Sequence, residues 1–159
     1  MEGKNLSGLD LAGVNFNGIN MKNVNLSRAD LSGANFRNAD LSKANLEGAN
    51  LVGTNFTYAD LTNANLNGAS LVDANLLGAD LEEAHLVGAD LSGAFLSEVT
   101  LMGADLSGTQ LIGTEMERAD LTGANLKDAN LTDTNLLEAD LTRTIVSFYP
   151  RATPILPNY

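Results

Sequence analysis

Apolar residues recur at every fifth position of the chain. The series begins at Leu6, Leu11 and Phe16 and continues to Leu141, twenty-eight times without a break. From Val14 onward the residue two places before the central residue is small or β-branched, most often Ala, and the residue directly before it is mostly Asn or Asp. Gly is favoured two places after it, where 14 of the 15 glycines stand. The unit therefore reads A-(N/D)-L-x-G.

A period of five residues predicts a turn in every unit. It matches neither the repeat of an α-helix, about 3.6 residues, nor the alternation of a strand, about two residues. Neither element can continue past one unit and keep its apolar side chains on one side. Gly, Asn and Asp tolerate the positive φ that the third residue of a type II turn requires. Each unit is predicted to be a short extended side followed by a corner, with Leu and Ala pointing inward.

The rarer residues indicate four units per coil. Phe replaces Leu at the central position only at Phe16, Phe36 and Phe56, which lie 20 residues apart. Asp keeps the same period in the position before it, at Asp40, Asp60, Asp80, Asp120 and Asp140. Like residues would then stack at the spacing of neighbouring strands, ~4.8 Å, and the three Phe side chains would form a structural column in the core. Seven coils make a rod about 34 Å long at that spacing.

These residues and their spacing resemble the pentapeptide-repeat family. The resemblance covers residues 4–146. It implies an all-β fold, a right-handed quadrilateral parallel β-helix of about seven coils of 20 residues with a short C-terminal cap. Parallel β crossovers generally favour the same hand. The expected organisation is a lead-in at residues 1–4, a solenoid at 5–146 and a Pro-rich cap or tail at 147–159.

Both ends of a solenoid expose its core and need caps. In the first coil the inward slot that Ala fills later holds larger residues, namely Leu9, Val14, Ile19 and Val24. Three interpretations stay open here: capping by this bulky layer, end-to-end pairing with another subunit, or a missing upstream segment. At the other end all three prolines fall between Ser147 and Tyr159. Because proline stops strand addition, this tail is predicted to fold over the last layer, with dimerisation as the alternative.

The composition excludes several kinds of chemistry. The 159 residues include no Cys and one His, so thiolate zinc sites, disulfides, Cys nucleophiles and His-rich metal sites are excluded. A net charge of -11 argues against direct nucleic-acid binding, because phosphate contacts need clustered Lys and Arg. No apolar run approaches the roughly 18 residues of a membrane span. We expect no catalytic residue, no metal and no cofactor, and we interpret His85 as an exposed substitution in an Asn/Asp position.

Acidic residues are concentrated in the middle of the chain. No basic residue occurs between Lys43 and Arg118, whereas eleven Asp and Glu residues do. Four of them are candidate partner-binding residues: Asp60, Asp80, Glu82 and Glu83. The predicted coil gives about one negative charge per 1.6 Å of rod, close to the ~1.7 Å of duplex DNA. The resemblance therefore implies DNA mimicry, as in family members that protect DNA gyrase, while a solvated acidic surface that favours solubility is the alternative.

A second candidate site interrupts the polar exterior. Phe95 stands in an Asn/Asp position, which should point outward, and Leu77 should lie on the same side one coil away. Val52 and Val72 should stack on the neighbouring side, with Ile112 two coils further on. Single exposed apolar residues are ordinary in proteins. The alternatives are thus an ordinary surface and a small protein-docking patch around Phe95.

The expected function is that of a non-enzymatic scaffold that binds another protein, whose identity the sequence does not name. The alternative is an acidic DNA mimic that binds DNA gyrase or topoisomerase. Stacked carboxylates such as Asp60 and Asp80 would lie about 5 Å apart, as in a retaining glycosidase, but a filled interior offers no cleft to exclude water. We expect no membrane association, and a homodimer through one end of the solenoid is an alternative. The expected location is the cytoplasm, or the periplasm or thylakoid lumen if an upstream leader was removed.

Overall fold

Parallel bridges between residues 20 places apart organise the chain into a stack of coils. The computed structural model describes residues 1–147, so the predicted tail beyond Ser147 lies outside the described residues. Each residue directly before a central apolar residue pairs with its counterpart one coil later, from Asn5 with Asn25 to Asp120 with Asp140. We call these positions the bridge residues. One coil therefore takes 20 residues, which is four units, and the right hand of the coil stays a prediction.

Four sides follow one another around each coil. The first side carries the central residues Leu6, Leu26 and every twentieth residue after them, and the second, third and fourth sides start from Leu11, Phe16 and Met21. Regular strands are short: β1 is Asn125–Leu126 and β2 is Ile145–Val146, which pair in parallel. Elsewhere in residues 1–147 single bridge residues join the coils, and no helix occurs there. The predicted extended side is thus only one or two residues long.

Backbone hydrogen bonds between coils set this register. The N–H of Leu26 donates to the carbonyl of Asn45 at 2.7 Å. The N–H of Asn45 donates to the carbonyl of Val24 at 2.9 Å. At the corner, the N–H of Arg28 donates to the carbonyl of Glu47, also at 2.9 Å. Because the same pattern recurs along the stack, most backbone polar groups are satisfied by neighbouring coils although regular strands are nearly absent.

The corners have positive φ in one position only, two residues after the central residue. Every such residue from Gly3 to Arg143 has φ between 55° and 71°, and 14 of them are not glycine. The corner closes with a hydrogen bond such as that from the N–H of Ala29 to the carbonyl of Leu26, at 3.1 Å. None of the Asn and Asp bridge residues has positive φ. The expectation that these Asn and Asp residues shape the corner through positive φ is therefore wrong.

The interior is filled by the central residues and by the small residues two places before them. Leu76 in the middle of the stack is 0% exposed. The rings of Phe16 and Phe36 stack with centroids 4.8 Å apart, and those of Phe36 and Phe56 stack at 5.3 Å. Where Thr replaces the inner Ala, its hydroxyl finds a carbonyl, as Thr54 does by donating to that of Leu31 at 2.9 Å. The core is thus a continuous apolar column with its few polar groups paired.

The bulky residues of the first coil do not form one buried layer. Leu9, Val14 and Ile19 are 45%, 37% and 38% exposed. Val24, which the sequence groups with them, is fully buried. It lies in the second layer, between the coil that starts at the N-terminus and the coil that contains Asn45. The first three residues therefore form an exposed apolar group at the beginning of the stack.

Truncation of a middle core residue tests this packing. We expect Leu76→Ala to lower the free energy of unfolding by about 2–5 kcal/mol. The substitution leaves a cavity, and the hydrogen-bonded coils cannot move together to fill it. Leu76→Asn should cost more, because it also buries an amide without partners. Urea unfolding followed by circular dichroism measures both. Val87→Ala on the exterior is the control, with an expected change within about 0.5 kcal/mol; a loss as small at Leu76 would contradict the filled core.

Candidate functional site

Asn and Asp bridge residues cap the backbone of the corner that follows them. In each of the 22 bridge positions from 5 to 140 that hold Asn or Asp, the side-chain Oδ1 accepts the N–H two residues later, at 2.8–3.3 Å. This is the Asx turn, in which a short polar side chain supplies the acceptor that the backbone lacks. We call it the corner cap. The Asn or Asp of each unit therefore has a structural role, and its side chain lies outside the core because it hydrogen-bonds to the backbone of the corner.

Several caps are strengthened by a hydroxyl and by charge. The hydroxyl of Ser42 donates to Oδ1 of Asp40 at 2.6 Å and its N–H at 3.0 Å, and these bonds lower the pKa of Asp40 below its usual value. The hydroxyl and the N–H of Thr142 lower the pKa of Asp140 in the same way. For Asp30 the N–H of Ser32 is the main cause of the lowered pKa. These carboxylates therefore accept the hydrogen bonds of the corner cap best when they are ionised.

Corner caps are lost only in the middle of the stack. Six bridge positions hold another residue, and all six lie in one stretch: Ser70, His85, Phe95, Thr100, Gln110 and Glu115. At His85 a neighbour replaces the lost acceptor, because Oδ1 of Asn67 accepts the N–H of Val87 at 2.8 Å. Among the described residues, the N–H groups at the other five corners have no protein acceptor: those of Val72, Ser97, Met102, Ile112 and Glu117.

Exposed apolar side chains occupy the same stretch, along the third side and at its two corners. Phe95 is the most exposed at 52% and lies on the third side. Its neighbours in the stack are Leu77 one coil earlier on that side, and Val72 and Ile112 one coil earlier and one coil later on the second side. Ile112 is 40% exposed, whereas Val72 and Leu77 are half-buried. With Val52 they form what we call the Phe95 patch.

Tyr58 borders this patch on the third side. Its ring lies over Gly78, the residue after Leu77, and a Cβ on Gly78 would approach Cε1 of Tyr58 to 2.5 Å. Gly78 therefore leaves the space that the ring occupies. The guanidinium of Arg37 lies over the same ring, 5.6 Å from its centroid, within the range of a cation–π contact.

Carboxylates surround the Phe95 patch. The carboxylate of Asp73 lies against Gly93, the corner residue two places before Phe95, where a Cβ would come within 2.5 Å of Oδ1. Glu115 is the bridge partner of Phe95 in the next coil. Arg118 is the first basic residue beyond this stretch, and it contacts Glu138 at 2.8 Å, Glu117 at 3.4 Å and Glu98 at 3.9 Å. The rim is therefore mainly acidic, with Arg118 at its C-terminal edge and Arg37 at the Tyr58 ring on its N-terminal edge.

The structure separates the candidate residues named from the sequence into two groups. Phe95 and Leu77 share the third side, although Leu77 is less exposed than predicted. Asp60, Asp80, Glu82 and Glu83 lie on the fourth side, where Asp60 and Asp80 are bridge partners and the other two are exposed. Both Asp60 and Asp80 cap corners. His85 is exposed on the first side, as predicted.

The clustering of lost caps is the feature that sequence reasoning missed. Phe95 and His85 were recognised one at a time as departures from the Asn/Asp position. A count along the bridge positions would have shown that the departures stop before Asp120 and do not occur before Ser70. The acidic rim residues Asp73 and Glu115 were missed as neighbours of Phe95, because their proximity depends on the side to which each unit belongs.

Other candidate features are modest. An open groove of about 310 Å³ on the first side is lined by Ser7, Gly8, Ser27, Arg28 and Glu47, away from the Phe95 patch. Within residues 1–147 no group of three or more His, Asp or Glu residues could hold a metal ion. The same residues contain no helix long and apolar enough to cross a membrane.

The lowered pKa of Asp40 predicts a pH-dependent cap. A carboxyl whose pKa is depressed in the folded state stabilises the fold above its unfolded pKa and loses that contribution as the pH falls through the folded value. Asp40→Asn keeps the Oδ1 acceptor but cannot titrate. We expect the stability of the native chain relative to Asp40→Asn to decrease between about pH 6 and pH 3, measured by urea unfolding at each pH. Parallel curves would contradict a charge-dependent cap.

Restoring a lost cap should stabilise the stack. Thr100→Asn supplies an Oδ1 for the free N–H of Met102 without adding charge between Asp80 and Asp120. We expect it to raise the free energy of unfolding by about 0.5–1.5 kcal/mol, the usual net value of one hydrogen bond. Thr100→Ala is the matched control and should give no gain. Equal stability of the two variants in thermal or urea unfolding would argue against the cap.

Comparison with known proteins agrees with the repeat geometry. The family described as Pentapeptide repeats matches in 8 copies that together extend from residue 5 to residue 147. Among solved structures, HetL from the cyanobacterium Nostoc is 34% identical over 91% of this chain and 79% of its own, with a TM-score of 0.37. A pentapeptide repeat protein of the Arabidopsis thaliana thylakoid lumen is 35% identical over 77% of this chain and 72% of its own, with a TM-score of 0.47.

A third structure, QnrB1, a plasmid-mediated fluoroquinolone resistance protein, is 19% identical over 91% of this chain and 90% of its own, with a TM-score of 0.40. No curated protein matches the chain. Since the family match covers nearly all of the sequence and follows its five-residue unit, the chain belongs to the pentapeptide-repeat family.

Proposed function

We propose that the protein is a non-enzymatic scaffold that binds another protein through the outer sides of its coils. The observation that carries this proposal is the filled interior: central residues such as Leu76 and Leu96 are 0% exposed. The chemistry available to a partner therefore lies on the outer sides. A repeated backbone holds those sides in fixed register, which suits the presentation of a surface to a partner.

The middle coils are the proposed binding region. Between Lys43 and Arg118 eleven acidic residues occur without a basic one. On the fourth side Asp60, Asp80, Glu82 and Glu83 form one candidate surface, and the Phe95 patch with Leu77 forms the other. A surface on which all charges are negative attracts positively charged partners and speeds their association, particularly at low ionic strength.

DNA mimicry is the second candidate function. The observation that favours it is the linear charge density of the middle coils, about one negative charge per 1.6 Å at the strand spacing, similar to duplex DNA. In this alternative the acidic sides would occupy the DNA-binding surface of DNA gyrase or topoisomerase. The fourth side is the better candidate for this role, because its Asp bridge residues repeat with the coil from Asp40 to Asp80.

Location and assembly complete the proposal. We place the protein in the cytoplasm, with no nucleic acid, membrane or cofactor as a direct partner. The exposed group of Leu9, Val14 and Ile19 is where a homodimer through the beginning of the stack would form. Residues 147–159 are proposed to cover its other end.

A pair of variants distinguishes the two functions. In a DNA gyrase supercoiling titration, DNA mimicry predicts inhibition or protection at about micromolar protein that weakens as salt rises. Charge reversal of Asp80, Glu82 and Glu83 to Lys should abolish that effect, whereas Phe95→Asp should leave it intact. In parallel, affinity capture from the source cells with quantitative mass spectrometry should retain a protein partner of the native chain.

The gyrase assay and the affinity capture give different results for the two candidate functions. No effect on gyrase, together with a partner that is lost with Phe95→Asp but kept with the charge-reversed variant, supports the scaffold with its Phe95 patch. A salt-sensitive gyrase effect lost on charge reversal supports mimicry. Capture profiles that are identical for the native chain and both variants would refute a partner-binding role for either surface.

A further inference from the structure

We propose that the Phe95 patch is a docking site for a basic, extended peptide segment of a partner protein. This inference rests on the proposed scaffold function and names the surface and the chemistry of the partner. Three independent properties of the patch support it: exposed apolar side chains, backbone donors without protein acceptors, and an acidic rim.

The apolar part offers an anchor point. Phe95 takes a position that holds Asn or Asp in 22 other units, so the patch exposes an aromatic ring where the repeat has a polar cap. Val72 and Ile112 lie in the adjacent coils at the corner before the third side, and Leu77 lies one coil earlier at the corner after it, so apolar side chains flank Phe95 at both corners of this side. Buried aromatic contacts of this kind are the usual energetic centre of a protein interface.

The backbone part offers hydrogen bonds. Four of the five N–H groups that lack a corner cap lie beside Phe95: those of Val72, Ser97, Ile112 and Glu117. Apart from that of Met102 on the fourth side, the other corner donors from Ser7 to Thr142 are bound by Asn or Asp side chains. An extended peptide carries carbonyl oxygens at regular intervals along its length, and these are the acceptors that the free N–H groups lack.

The charge of the rim selects a basic occupant. Asp73, Asp90 and Glu115 stand around the patch with no Lys or Arg in residues 44–117 to balance them. Lys and Arg side chains of a bound segment would meet these carboxylates while its apolar side chains contact Phe95. An acidic segment would be repelled by the same rim.

Binding of synthetic peptides to the native chain tests the proposal. The probe is a fluorescein-labelled heptapeptide amide of alternating Lys and Leu, and the control probe has Glu in place of Lys. Fluorescence anisotropy should show saturable binding of the Lys probe that weakens with salt, and no binding of the Glu probe. In ¹⁵N spectra of the protein, the largest shifts should fall on the amides of Val72, Ser97, Ile112 and Glu117.

Matched variants locate the site. Phe95→Asn removes the ring and restores a cap on the N–H of Ser97, and we expect it to weaken binding of the Lys probe about tenfold or more. Thr100→Asn makes the corresponding change in the same coil on the fourth side and should leave binding within about twofold of native. Gln110→Asn caps the N–H of Ile112 but leaves Phe95 in place, so it should weaken binding less than Phe95→Asn.

Several results would overturn the inference. These are equal affinity of Phe95→Asn and the native chain, shifts centred on Asp60 and Asp80, or no binding at about 1 mM probe. Self-association of the native chain that Phe95→Asn abolishes, seen by sedimentation, would instead assign the patch to a second copy. If the probe fails while the native chain still captures a partner that the variants of the previous section lose, the scaffold function stands and this docking site does not.

Discussion

Hydrogen bonding between coils in a 20-residue register is the constraint on which the rest of this structure depends. From Asn25 onward the bridge residues direct both the N–H and the carbonyl toward the preceding coil, as Asn45 does toward Val24 and Leu26. Because this pairing fixes which residues lie above one another, it places every central residue over a central residue and every bridge residue over a bridge residue. The apolar column, the aromatic stack and the acidic surfaces are all consequences of that alignment.

Much of this arrangement could be predicted from the sequence, because a five-residue period leaves few ways to bury Leu. The stacking of Phe16, Phe36 and Phe56 could be predicted from their spacing of 20 residues. The outward position of Phe95 could be predicted from its place in the five-residue unit. The role of Asn and Asp could not be read from the period, because it depends on which backbone donor each short side chain reaches. The burial of Val24 and the partial burial of Leu77 were also out of reach, since both depend on neighbours from adjacent coils.

The middle coils lack some of the hydrogen bonds that stabilise the corners of the other coils. Coils on either side keep a cap at every corner, whereas the coils from Ser70 to Glu115 leave five corner N–H groups without one. Contacts in a solenoid are made mainly between adjacent coils, so well-capped coils on both sides can hold the weaker ones in place. Four of the six departures, Ser70, Phe95, Gln110 and Glu115, lie on the second and third sides. Departures from a local rule are where function is expected.

The register of four units per coil also determines how such a chain can change in length. A duplication or deletion of 20 residues shifts later residues along the axis but returns each one to its own side. A change of five residues between Val72 and Phe95 still places central residues over central residues, yet it moves everything downstream to the next side and carries Phe95 away from Val72. An insertion or deletion of any whole number of five-residue units therefore keeps the central residues in the interior. Only a multiple of 20 residues also keeps every exterior residue on its own side.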